Sequence, residues 1–308
     1  MIHGRDCNIT APDIVTGRED MFYYEIADTC VMCGACASGC PVQAIERGAH
    51  QFQIRAASCI DCGTCSVLCP TGAAHRAPYI RKSISQNEID LRKCYFNPGC
   101  ALSLYKPDVS EKMLKLLQDH FGDVKLHNIC CRHGPGLDSG STIINNCAGC
   151  DRRFRSLYEN IRTISYWEAV DGIPDLTLPD HSGLRVSIHD SCGYRHKPQV
   201  HWAIRSLLSK MNIQIEEAQF SGTESVCCGD NFYGLVPDEQ VESRIKMRAE
   251  QFPCDNVVVY CIGCVRAMIS GGKTPLYLPD LLLDRVSEPM PDTLEEYHSK
   301  LKSYIQNH

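Results

Sequence analysis

Residues 30–41 read CVMCGACASGCP and residues 59–70 read CIDCGTCSVLCP. Both follow C-x2-C-x2-C-x3-C-P, and few patterns restrict a chain so tightly. Three cysteines two residues apart wrap a loop around one corner of an iron–sulfide cube. The fourth, set off by a proline with fixed φ, points away and reaches a second cube. The spacing therefore predicts one cubane 4Fe-4S cluster on Cys30, Cys33, Cys36 and Cys69, and a second on Cys59, Cys62, Cys65 and Cys40. Gly34 and Gly63 leave room for close backbone approach and let amide N–H groups face the sulfurs. Zinc or disulfide bonding is the competing use of such thiols; two complete copies of the run weigh against it, because zinc sites share only the isolated C-x-x-C.

The chain carries 21 cysteines in 308 residues. In a short secreted chain that count would mean a disulfide framework. This chain is long, and its first residues, MIHGRDCNIT, lack the apolar stretch of a signal peptide. No window approaches the roughly 18 uninterrupted apolar residues of a membrane span. The expectation is a cytoplasmic, reducing setting with thiols used as metal ligands, leaving peripheral attachment to a membrane partner open. A net charge of −6 without a long basic run argues against nucleic acid as a partner. No G-x-G-x-x-G follows a strand and no G-x-x-x-x-G-K-[ST] occurs, so no flavin or nicotinamide site is expected and electrons must come from another redox protein.

Cysteine spacing divides the chain into blocks. Residues 1–21 form a polar leader with Cys7, residues 22–78 hold the paired runs, and residues 79–92 form a cysteine-free linker. Residues 93–308 hold the other twelve cysteines in a repeated order: PGC at 98–100, CC at 130–131 and CAGC at 147–150, then DSC at 190–192, CC at 227–228 and CIGC at 261–264. Such duplication signals two copies of one supersecondary unit, here 93–180 and 181–308. Helical spacing predicts helices over 110–122, with Ser110 as N-cap, and over 199–212. Strands are expected at 124–129, 141–146, 185–189, 213–220 and 256–260, with a strand and a short helix over 276–286. Strand–Cys–helix–strand–CC alternation argues an α/β fold with mainly parallel pairing, its cysteines at strand ends. Trp167 and Trp202 read as core.

Each copy offers five thiols where a cubane needs four. A fifth makes sense if one sulfur bridges two irons or if the irons spread into a non-cubane arrangement. Adjacent side chains in extended backbone point to opposite faces, so Cys227 and Cys228 need a sharp turn to serve one cluster, and Gly229 permits it. Cys7, Cys94 and Cys254 are left over and read as free thiols, with Cys94 close enough to Cys100 to be an alternative ligand. His189, just before a ligand cysteine, either donates to sulfur and handles a proton or simply caps a strand end. Arg132, His133 and Arg195 are similarly placed, and an arginine there suits an anionic substrate.

The stretches ADTCVMCGACASGCPVQAI and SCIDCGTCSVLCPTGA resemble a bacterial two-cluster ferredoxin. IHDSCGYR at 188–195, VCCGD at 226–230, VVVYCIGC at 257–264 and YFNPGCAL at 95–102 resemble the cysteine-rich CCG-domain family. That family includes the catalytic subunit of heterodisulfide reductases and the iron–sulfur subunits of glycolate and lactate oxidases. The resemblance implies an α+β ferredoxin-like N-terminal domain followed by an α/β domain of two CCG repeats. It implies a non-cubane 4Fe-4S cluster on Cys192, Cys227, Cys228, Cys261 and Cys264; these five, with His189 added for its position next to them, are the candidate catalytic set. It implies a second such cluster on Cys100, Cys130, Cys131, Cys147 and Cys150. There, Arg132 replaces the glycine of CCG and the gap from Cys131 to Cys150 is shorter, so an altered cluster, zinc at Cys147 and Cys150, or no metal stay open. The implied activity is reduction of a small disulfide with electrons from the ferredoxin clusters, within a complex with a flavoprotein or ferredoxin. The alternative is an electron-transfer subunit of a flavin-dependent 2-hydroxy acid oxidase. A redox sensor is a third reading.

Overall fold

A computed structural model describes residues 24–55, 58–59, 62–76, 93–158 and 160–308. The leader 1–21 with Cys7, and the linker 79–92, lie outside the described residues. In the N-terminal part, β1 (Tyr24–Ile26), α1 (Ala35–Ser38), β2 (Ile45–Arg47), β3 (Phe52–Ile54), α2 (Thr64–Leu68) and β4 (Ala74–Arg76) follow in order. β1 pairs antiparallel with β4, and β2 with β3. Their core is small: Tyr24, Ile26, Ile45, Phe52, Ala73 and Ala74 pack around Cys36 and Cys65. So few apolar side chains cannot stabilise a unit of this size, which is where bound metal substitutes for a core.

The next part runs β5 (Cys94–Asn97), α3 (Cys100–Tyr105), α4 (Pro107–Phe121), β6 (Val124–Leu126), β7 (Thr142–Asn145), α5 (Ala148–Leu157), β8 (Arg162–Ser165) and α6 (Tyr166–Asp171). Then come β9 (Arg185–Ile188), α7 (Pro198–Lys210), β10 (Gln214–Ile215), α8 (Asp238–Glu250), β11 (Asn256–Val259), α9 (Ile262–Ser270), β12 (Thr274–Tyr277), α10 (Leu278–Leu282) and α11 (Leu294–Asn307). Both halves build a four-stranded sheet, ordered β6-β5-β7-β8 and β10-β9-β11-β12, with every pair parallel. Each first strand thus lies between its second and third. β7 is buried throughout and β11 nearly so, as expected of strands covered on both faces.

One core runs through both halves. Trp167 of the first sits edge-on to Tyr260 of the second, with centroids 6.1 Å apart. The Tyr194 hydroxyl donates to the Asn145 carbonyl at 3.0 Å. Three expectations need correction. Trp202 is 67% exposed, because α7 buries the stripe Val200, Ala203, Ile204, Leu207 and Leu208, which leaves position 202 on the solvent face. Ser110 is no cap: α4 begins a turn earlier at Pro107, whose fixed φ and missing N–H suit a first helical position. The strand expected over 213–220 is only Gln214–Ile215. No helix among the described residues is long and apolar enough to cross a membrane.

Candidate iron–sulfur centres

The loops carrying the paired runs enter α1 and α2 through Gly34 and Gly63, with φ of 81° and 80°. Those left-handed turns suit glycine and curl each loop so that its cysteines face inward. Cys36 and Cys65 follow in the first helical turns, both buried. The charges each thiol feels run along and between the two runs: Cys36 feels Cys30 and Cys69, Cys65 feels Cys62, Cys59 and, last, Cys36, and Cys62 feels Cys40. Cys33 is exposed in the loop between Cys30 and Cys36. Backbone N–H groups reach the sulfurs, from Met32 to Cys30 at 3.4 Å, Ala44 to Cys40 at 3.2 Å and Ala74 to Cys69 at 3.2 Å. Burial opposes ionisation of Cys69, but the Ala74 N–H and the Thr71 hydroxyl outweigh it and hold the thiol below its ordinary value. Burial pushes Cys65 up to about 12. Such donors are what tune a thiolate-bound cluster.

In the last half the cysteines converge at the C-terminal ends of β9 and β11. Cys192 opens a short turn after β9, and Cys261 caps α9, whose first turn carries Cys264. Gly229 takes φ 108°, and a Cβ there would lie 2.7 Å from Ile245 Cγ1, so the turn at Cys227–Cys228 demands glycine twice over. The five thiols form a chain of contacts, Cys192 to Cys227 to Cys228 to Cys264 to Cys261, with Cys264 Sγ donating to Cys228 Sγ at 3.5 Å. Donation from Cys227 and Cys264 brings Cys228 down to about 6. Its gain is the others' loss: the contact with Cys228 holds Cys264 well above the ordinary value, and that with Cys227 does the same to Cys192. A group of irons would offset the charge of several thiolates, so five converging soft donors, three of them buried, and an iron–sulfur cluster fit one another.

The first half builds the same set despite its shorter loop. Cys100 starts α3, Cys130 and Cys131 follow β6, Cys147 caps α5 and Cys150 lies in its first turn. Cys100 meets Cys130, and Cys150 meets both Cys131 and Cys147. The hydrogen bond from Cys150 lowers Cys147 to about 7. Gly99 has φ 83°, and a Cβ on it would stand 2.6 Å from that of Cys147. Cys94, considered above as an alternative ligand, is buried in the main core on β5, and Cys254 sits beside Glu216, its Sγ 3.7 Å from the carboxylate.

Between the halves lies a cavity of ≈ 520 Å³. The five cysteines of the first half line it, with Cys261 of the second and Cys59 of the N-terminal part. Tyr297, Leu301 and Ile305 of α11 form an apolar wall, and Arg132, Arg152 and Arg153 also face it. Arg153 Nε donates to the Cys131 carbonyl at 2.7 Å, and His133 Nε2 donates to that of Ile305 at 3.0 Å, which ties α11 to the Cys130–Cys131 turn. Among the described residues, Arg132 and Arg152 have neither a hydrogen-bond nor an ion-pair partner.

Comparison with known proteins assigns the two thiol-rich regions. The family model for a 4Fe-4S dicluster domain matches residues 29–73, and that for a cysteine-rich domain, CCG, matches residues 186–269. The chain joins a dicluster ferredoxin domain to a CCG domain. A curated relative, one of the fumarate reductase (CoM/CoB) subunits of Methanothermobacter marburgensis, is 26% identical over 278 residues, covering 76% of this chain and 55% of the relative. Ferredoxins of Clostridium perfringens and Clostridium pasteurianum are each 64% identical over 33 residues, 11% of this chain and 59% of theirs. The chain thus spans little more than half the length of the curated relatives it matches. It is an iron–sulfur, electron-transfer protein related to a component of a reductase.

The dicluster domain abuts the CCG domain next to the thiols. Val226, which precedes Cys227, packs against Gly63, and Arg244 Nη1 donates to Thr64 Oγ1 at 3.4 Å. Arg195 is fully buried, donates to the Ser225 carbonyl and lies 5.6 Å over the Tyr24 ring. His189 is buried, with a ring nitrogen within 4.8 Å of Cys228 Sγ and Cys264 Sγ. Burial, then the nearby Arg248 charge, keep its imidazole neutral. Sequence reasoning missed Arg248 and Arg152. Each is one arginine in an amphipathic helix, and no local pattern distinguishes it from a surface residue.

Proposed function

We propose that this protein passes electrons from the dicluster domain to clusters held by the two five-cysteine sets, and that a small disulfide in the cleft between them is reduced to two thiols. Two electrons and two protons balance that cleavage. The carrying observation is that one cleft is bordered by all five cysteines of the first set, by Cys261 of the second and by Cys59 of the dicluster domain. When bound, the clusters supply single electrons. The chain's own residues do the rest. Arg132 and Arg152 hold an anionic end of the substrate, α11 keeps bulk water out, and His189 presents an N–H beside Cys228 and Cys264. The ligand sets are those given by the spacing, Cys30, Cys33, Cys36 and Cys69, and Cys59, Cys62, Cys65 and Cys40, together with the two quintets implied by the CCG resemblance, within repeats at 93–180 and 181–308. The relative's name pairs fumarate reductase with CoM and CoB, which supports a reductase component working with a partner redox protein. The reading as a carrier for a 2-hydroxy acid oxidase has less support, since a carrier needs no cleft between two sets of thiols.

The test is purification without oxygen, iron and sulfide analysis, and EPR after oxidation with added thiol. A paramagnetic signal that appears only with thiol supports the proposal. A protein with iron at all ten CCG-type cysteines and no such signal would overturn it.

A further inference from the structure

We infer that Arg248, on α8 and outside every cysteine motif, raises the reduction potential of the cluster on Cys192, Cys227, Cys228, Cys261 and Cys264 by holding a buried positive charge beside it, acting through His189. The inference rests on that quintet holding iron and not on disulfide reduction.

Arg248 is 1% exposed. Its guanidinium lies 4.4 Å over the Phe252 ring. Its Nε donates to His189 Nδ1 at 3.4 Å, Nη1 to Gln251 Oε1 at 2.6 Å, and Nη2 to the Phe220 carbonyl at 2.9 Å and Ser225 Oγ at 3.4 Å. Every one of these acceptors is neutral. The buried carboxylate of the region, Asp190, is engaged by Arg205 at 2.9 and 3.2 Å. A cation taken out of water is expensive, and besides Asp190 the anions near enough to offset it are the thiols Cys228 and Cys227. Reduction makes a thiolate-bound cluster more negative, so a fixed neighbouring cation favours the reduced form.

Arg248 also decides what His189 can do. Because Nδ1 accepts from Arg248, the proton sits on Nε2, and neither ring nitrogen is open to bind iron. Nε2–H has no hydrogen-bond partner among the described residues, on a ring lying against Cys228 and Cys264. His189 thus keeps its one N–H on Nε2, and Arg248 is its positioning residue.

The test is an EPR-monitored redox titration of the full chain purified without oxygen, after iron counting. In Arg248→Gln, the oxidised-to-reduced ratio of the CCG cluster at fixed potential should rise about tenfold, a fall of about 59 mV for one electron. The dicluster centres should stay put. Arg248→Lys should keep most of the wild-type value, and His189→Phe should show a smaller fall. A loaded Arg248→Gln protein with wild-type potential overturns the inference. So does a lysine variant that falls as far as glutamine, or an equal shift at all centres. Should Arg248→Gln fail to fold, an unchanged potential in His189→Phe overturns it. Wild-type protein with iron only in the dicluster domain defeats the ligand assignment as well, and the iron count shows that before any titration.

Discussion

Gly229 carries the heaviest demand on a single position. Its φ of 108° is costly for any residue with a Cβ, and the Cβ of alanine would meet Ile245 Cγ1 at 2.7 Å. Backbone strain and overpacking each cost roughly 1–3 kcal/mol, so Gly229→Ala should lose roughly 2–6 kcal/mol locally. The turn carrying Cys227 and Cys228 would reopen. The expected outcome is one cluster fewer by iron and sulfide analysis, with the dicluster signals retained; full iron content would show that the turn tolerates a side chain. This demand was legible in the motif. Its counterpart was not: Arg132 stands where the first half has no glycine, and the turn there uses no left-handed residue at 131–133. Two solutions to one geometric problem look unrelated in sequence because backbone dihedrals are not written in residue types when no positive φ is needed.

Among elements, the helices that follow cysteine-bearing strands were readable from apolar spacing, since each needs one buried face. Strand order was not. Short apolar runs such as TIIN and NVVV say that a strand is covered on both faces and nothing about which neighbours it pairs with. α11 went unread although Thr293 and Glu296 spell a capping box, with the Thr293 N–H donating to Glu296 Oε2 at 2.9 Å. That helix joins the halves: Tyr297 stacks on Tyr105 at 5.5 Å, and His298 stacks on Tyr233 at 4.0 Å. Tyr297→Ala removes a buried ring from the cleft wall and should cost about 3–5 kcal/mol. Anaerobic denaturant titration should register the loss, and the visible absorbance of the clusters should bleach faster in air. Wild-type stability and bleaching together would mean that α11 does not seal the cleft.

For the whole molecule, the thiols were legible because metal chemistry dictates both residue type and spacing. Of the polar surroundings, Arg132 was legible beside Cys131, but Arg248 was not, because it reaches the thiols from α8, outside every cysteine motif. The charge balance makes the cleft unusual. The chain is net −6, and several of its buried arginines are engaged by carboxylates, as Arg155 is by Asp151 at 2.9 Å, Arg205 by Asp190 at 2.9 Å and Arg266 by Asp230 at 3.0 Å. Arg132 and Arg152 at the cleft have no such partner among the described residues. Hydrogen bonds to charged groups are worth about 1.5–3 kcal/mol, which is roughly a ten- to hundredfold change in binding. Replacing Arg132 with Gln should therefore raise KM for a small disulfide bearing a carboxylate by about that factor. The matching neutral amide should lose little. Arg152→Gln should do the same and lower kcat too, since the Arg152 charge also reaches Cys192. Steady-state assays with a reduced viologen as donor separate the cases. Equal losses for the acid and the amide would mean that Arg132 supports the cleft wall and does not read the substrate's charge.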